Sequence, residues 1–184
     1  MQGAIMLKEE IKERVIRCLK RIEDNEREII QNDISERTIT HKFAEYLQIE
    51  FKDYNVDVEY NRNYEAGEYE PKKALLIKAG FDEAYRKAKE SGEDILDFIN
   101  QVTTYPDIII HKRMTNSQNT LIIEIKKNNN SDWDIDRKKL EAFTRKKTDE
   151  GYGYMLGLHL IFYVNKCWRR PELNWYANGE HEKT

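Results

Sequence analysis

With 184 residues, 39% apolar and 35% charged, the chain is long enough to bury a real core and more apolar than disordered sequences are. A formal net charge of −3 and an isoelectric point near 5.9 exclude a global basic field, so any polyanion has to be held by a local patch or through bound metal. Cys18 and Cys167 lie far apart without metal-type spacing, which excludes a disulfide framework; no apolar run reaches membrane-spanning length and no signal-peptide pattern is present, so a cytoplasmic, membrane-free chain is expected.

In chain order, Leu7, Ile11, Val15, Cys18 and Ile22 recur at helical steps and predict an amphipathic helix over 5–31, within an N-terminal segment 1–33. That helix packs on its own domain or forms part of a dimer interface. Asn32-Asp33 breaks it, and Ser35 caps a second helix over 35–50 whose buried stripe is Ile39, Phe43 and Leu47. Glu36 lies one turn before Ile39 on the same side, whereas Glu45 points to water. The alternation of Val56-Asp57-Val58-Glu59-Tyr60-Asn61-Arg62 predicts a half-buried strand. An insertion over 63–104 follows, with a charged loop around Gly67 and Pro71 and helices near 80–90 and 93–101.

The most informative stretch runs from Tyr105 to Lys127. Ile108-Ile109-Ile110 and Leu121-Ile122-Ile123 are β-branched, short and separated by a polar connector over 112–119, which predicts a hairpin. Pro106 cannot donate a ladder hydrogen bond and suits the first strand residue, leaving Asp107 at the strand's mouth. Strand parity puts Glu124 and Lys126 on one face and Ile125 on the other. Two carboxylates and a lysine at the end of an apolar sheet are costly unless a cation or a reaction uses them.

Asn128 to Ser131 forms a turn into a helix over 133–148, with Ser131 or Asp132 as its cap. This helix turns Ile135, Leu140 and Phe143 to the core and Arg137, Lys138, Lys139, Arg145, Lys146 and Lys147 outward. Residues 155–164 are almost wholly apolar and suit a central strand covered on both faces. Lys166 to Arg170 is a small basic cluster, and a polar tail over 171–184 is expected to be loosely held. Without repeats or a linker, 1–184 reads as one domain with its core over 35–165.

The order helix, strand, insertion, strand, strand, helix, strand, with Pro106-Asp107 opening one strand and Glu124-Ile125-Lys126 in the next, resembles the PD-(D/E)xK or restriction-endonuclease-like nuclease superfamily. The finer pattern resembles its stand-alone bacterial members. The resemblance implies an α/β fold: a restriction-endonuclease-like core with a mixed central β-sheet flanked by helices, plus the N-terminal helix and an inserted helical segment. It implies a metal-dependent endonuclease acting on DNA rather than RNA, with Asp107, Glu124 and Lys126 catalytic. Mg²⁺ or Mn²⁺ would be held by Asp107, Glu124, the Ile125 carbonyl and Glu36, since hard cations take oxygen ligands. Lys126 would position or help deprotonate the attacking water. Lys127, Arg137, Lys138 and Lys139 are the candidate nucleic-acid contacts, and cutting a duplex takes two sites, which suits a homodimer.

Blander readings stand beside these. Asp107 can cap a strand end, Glu124 and Lys126 can pair on an edge strand, and Glu36 can serve the helix dipole. The basic helix residues can be a solvated face, and Trp133 can be core or a base-stacking platform. His41 is isolated; His111 and His159 are expected to be structural. The rival function is a nuclease-like module without activity, used for nucleic-acid binding or protein assembly.

Overall fold

The computed structural model describes residues 6–60, 62–65, 68–71, 90–92, 106–129, 133–147, 152–164 and 167–183. Helix α1 (Lys8–Asn25) buries Ile11, Val15, Cys18, Leu19 and Ile22, the stripe its spacing predicts. Leu7 is the exception: it precedes the first helical residue, so the stripe does not reach it, and it stands 73% exposed. The predicted helix is also divided. Glu26 leaves helical geometry and accepts a hydrogen bond from the Tyr46 hydroxyl at 2.9 Å, after which α2 (Arg27–Gln31) begins. Helix α3 (Glu36–Glu50) starts where expected, with the Ser35 hydroxyl accepting from the Thr38 amide at 3.3 Å.

Strand β1 (Asn55–Val58) is shorter than the alternation suggests, because Glu59 turns the chain at a φ of 52°. Val56 packs on the core beside its cross-strand partner Ile110, as the alternation suggests. Val58 is 38% exposed at the strand's end, and Asp57 on the opposite face is buried, held by the His111 ring at 2.9 Å and by the Arg113 guanidinium. Where a charged loop was expected, β2 (Arg62–Glu65) and β3 (Glu68–Pro71) pair as an antiparallel two-stranded sheet. The helices expected near 80–90 and 93–101 lie outside the described residues, apart from residue 90.

Strands β4 (Ile108–His111) and β5 (Asn119–Lys127) form the expected antiparallel hairpin. The chain then crosses through α4 (Asp134–Thr144) to β6 (Leu156–Phe162), which is parallel to β5 and buried throughout. The tail is not loose: β7 (Glu172–Ala177) extends the sheet antiparallel to β6, and β8 (Glu180–His181) pairs antiparallel to β7. Leu173 and Trp175 pack on the core, and Glu182 ties the tail to Lys8 at 3.0 Å and Lys12 at 2.8 Å of α1.

The result is an α/β fold with a mixed six-stranded sheet in the order β1-β4-β5-β6-β7-β8. One face, with Ile123, Ile125, Leu158 and Leu160, packs on α1 and α3. The other, with Ile109 and Ile122, packs on Leu140 and Phe143 of α4 and on Tyr152, Tyr154 and Tyr176. No helix among the described residues is long and apolar enough to cross a membrane. Cys18 is a buried free thiol, and Cys167 is exposed.

Candidate functional site

Toward the end of β5 the α4-facing side of the sheet becomes charged. Glu124 and Lys126 share that side, and Ile125 packs into the opposite core, as strand parity dictates. Asp107, just before β4, lies across the hairpin and accepts a hydrogen bond from the Ile125 amide at 2.6 Å. That bond fixes Asp107 against the residue that separates Glu124 from Lys126. Ile125, whose carbonyl is the expected metal ligand, thereby adjoins Asp107 through its amide.

Helices complete the cluster from both layers. Lys126 reaches Glu36 in the first turn of α3 at 3.5 Å and Asp136 in the first turn of α4 at 3.3 Å. Lys139, one turn after Asp136, lies 3.0 Å from the Asp136 carboxylate and 3.6 Å from Glu124. Glu124, Asp136 and Lys139 are 1%, 4% and 3% exposed, so their charges interact with little solvent screening.

Lys139 therefore corrects the expectation of a basic outer face. Its spacing of four residues from Phe143 turns it inward, as Asp136 is turned by its spacing from Leu140. Of the other expected nucleic-acid contacts, Lys138 is exposed and Lys127 pairs with Asp33 at 2.7 Å. The Arg137 guanidinium lies over the Trp133 ring at 5.9 Å. Asp136 was missed by sequence reasoning, although it lies one turn before Leu140 much as Glu36 lies one turn before Ile39. The expected Ser131 or Asp132 cap lies outside the described residues; Trp133 occupies the cap position of α4 without a side-chain cap bond.

Burial dominates the carboxyl groups. It pushes Asp107 up to about 6, against the Ile125 amide and Lys126, with Glu36 adding to the rise. Burial also holds Glu124 well above the ordinary glutamate range, Lys139 opposing and Asp107 and Asp136 reinforcing. For Lys126, burial works against the charge, but Asp136, Asp107, Glu124 and Glu36 outweigh it and raise the ammonium above its usual value. Lys126 is thus a fixed cation in the metal-free protein rather than a proton acceptor. His159, paired in register with Glu124 on the neighbouring strand, is driven down to about 4 by burial and is neutral at physiological pH. Both of its ring nitrogens and the Trp133 indole nitrogen are buried without hydrogen-bond partners. His111 is a structural histidine bonded to Asp57.

Four carboxylates, Asp107, Glu124, Asp136 and Glu36, thus face two ammonium groups, Lys126 and Lys139. Glu124 Oε1 has no hydrogen-bond partner despite complete burial. Among the described residues no group of three or more His, Cys, Asp or Glu side chains is arranged to hold a metal. Asp107 and Glu124 do fit the smaller requirement of Mg²⁺, which takes one or two carboxylates and keeps waters in its remaining positions. Glu36 is engaged with Lys126 and adds charge rather than a third arranged ligand.

No protein-family model matches the chain, and neither a curated protein nor a solved structure is significantly similar to it.

Proposed function

We propose that the chain is a metal-dependent nuclease of the PD-(D/E)xK, restriction-endonuclease-like kind, hydrolysing phosphodiester bonds in DNA in preference to RNA. The observation that carries the reading is Glu124: fully buried, one oxygen unpartnered, beside Asp107 and Lys126 at the end of a sheet strand. Such a group is unfavourable in a purely structural role, because an unpaired buried carboxylate oxygen forfeits its hydration. The hairpin, the α4 crossover and the parallel β6 support the reading, since they follow the element order of the resemblance.

In this reading Asp107 and Glu124 hold Mg²⁺ or Mn²⁺. The ion, when bound, acidifies a water and polarises the scissile phosphate. The Ile125 amide keeps Asp107 oriented, and Lys126, held as an ammonium, positions the attacking water and offsets phosphate charge. Asp136 and Glu36 restrain Lys126 from two sides. Exposed Lys138 and the Arg137–Trp133 pair are the surfaces left to contact a phosphate backbone or a base. A homodimer would supply the two sites that duplex cutting takes, and reduced thiols suit a cytoplasmic setting.

A second reading, a nuclease-like module without activity, is favoured by one observation: Lys139 already lies against Glu124. A cleavage assay separates the two. Single- and double-stranded DNA and RNA are incubated with Mg²⁺ or Mn²⁺ and wild type, Asp107→Ala or Lys126→Ala, each checked for folding. The nuclease reading expects cutting that needs metal and falls by about a hundredfold or more in both variants. Cutting that survives both substitutions contradicts the site, and a complete lack of cutting moves the function to binding.

A further inference from the structure

Lys139 is the buried ammonium that hydrolysis, as described above, leaves without a task. Its Nζ lies 3.6 Å from Glu124 Oε2 and 3.0 Å from Asp136 Oδ1. Of the two carboxylates, Asp136 is the closer and the one it hydrogen-bonds. Glu124 receives only the longer contact, on one oxygen, while its other oxygen has no partner. Lys126 is occupied with Glu36 and Asp136, so among the described residues Lys139 is the ammonium in ion-pair range of Glu124.

Two physical consequences follow. A carboxylate this deeply buried gives up its proton more readily beside a positive neighbour, and Lys139 supplies one. The same ammonium repels any other cation that approaches Glu124, strongly in a site with little water. A lysine carries its charge on a flexible four-carbon stem with three donors, so it can give up the longer contact with Glu124 while keeping its hydrogen bond to Asp136.

We propose that Lys139 is a resident counter-cation: it offsets the charge of Glu124 in the metal-free protein, competes with a divalent ion for that carboxylate, and gives up its Glu124 contact while keeping its Asp136 bond when the ion binds. The inference rests on reading Asp107 and Glu124 as a divalent-cation seat. Lys139 acts through Glu124 and is a positioning residue, setting how much free metal the site needs.

The test is calorimetric titration of Mn²⁺ into the intact chain, for wild type, Lys139→Met, Lys139→Gln and Asp107→Ala, with thermal melts to establish folding. Lys139→Gln keeps a hydrogen-bond donor for Asp136 and guards against loss of the fold in the Met variant. Both Lys139 variants are expected to bind Mn²⁺ about tenfold tighter than wild type or more, the direction set by removing a like charge. Asp107→Ala is expected to lose the binding. Unchanged or weaker binding by the folded Lys139 variants overturns the proposal, since a purely structural lysine predicts one of those results. If wild type binds and only the Lys139 effect is missing, the metal-dependent reading stands without the counter-cation. If none of the four binds, both fall.

Discussion

Burial raises the Asp107 carboxyl to about 6, and the opposing Ile125 amide and Lys126 ammonium do not cancel it. A carboxyl whose folded value lies above its unfolded one favours the fold while protonated, and that contribution is lost as pH rises through the folded value. In the presence of a chelator, Asp107→Asn should therefore gain on wild type by about 2–3 kcal/mol between pH 4 and pH 7. Calorimetric melts of the two proteins across that range measure the difference; parallel curves would show that Asp107 is ionised at no cost. Glu124 is shifted in the same direction and contributes a further slope to both proteins. Asp57 has the opposite sign. Burial disfavours its charge, but His111 and Arg113 hold its carboxyl down at about 2, so its contribution is complete above its unfolded value and is lost only as pH falls through about 2. The residue types at 107, 124 and 126 were legible because carboxylates and a lysine among isoleucines stand out. Asp136 and Lys139 were not, because they sit in a helix rich in charge where only their phase relative to Leu140 and Phe143 distinguishes inside from outside.

At the scale of elements, α4 must approach β6 closely to bring Asp136 and Lys139 over the end of β5. Gly157 permits this: a Cβ there would lie 3.1 Å from Thr144 Cγ2, 3.2 Å from Leu140 Cδ2 and 3.3 Å from Tyr176 Cβ. Gly157→Val is expected to lose about 1–3 kcal/mol in urea unfolding by overpacking this seam. A variant as stable as wild type would mean that α4 can shift freely, contrary to the fixed cluster described. Local signals served well where an element satisfies itself, as in the Ser35 cap and the almost wholly apolar β6. They failed where a distant partner decides. Asp57, on the polar side of its strand's alternation, is buried because His111 and Arg113, more than fifty residues later, hold it. The β7–β8 hairpin did have a signal, overlooked in a polar tail: Asn178-Gly179, with φ of 55° and 82°, is a tight-turn dipeptide between strand segments.

At the scale of the whole molecule, the sheet gathers groups that the chain spreads from Glu36 to Lys139. Pairing β5 between antiparallel β4 and parallel β6 places Glu124 centrally, where burial is complete, while α3 and α4 close over the strand end from opposite layers. The α/β class was legible from element order, and the sheet's extension beyond β6 was not, because the tail's few apolar residues count only once the sheet offers them a surface. An acidic chain gains no long-range attraction for nucleic acid, so under the proposed function the burden of phosphate binding falls on a divalent ion at this one point. The most direct measurement is anomalous diffraction from a crystal soaked in Mn²⁺. An anomalous peak is expected between the Asp107 and Glu124 carboxylates, with Lys139 bonded to Asp136 and no longer in range of Glu124. A fully soaked crystal without such a peak, and with Lys139 still against Glu124, would contradict the proposed metal site.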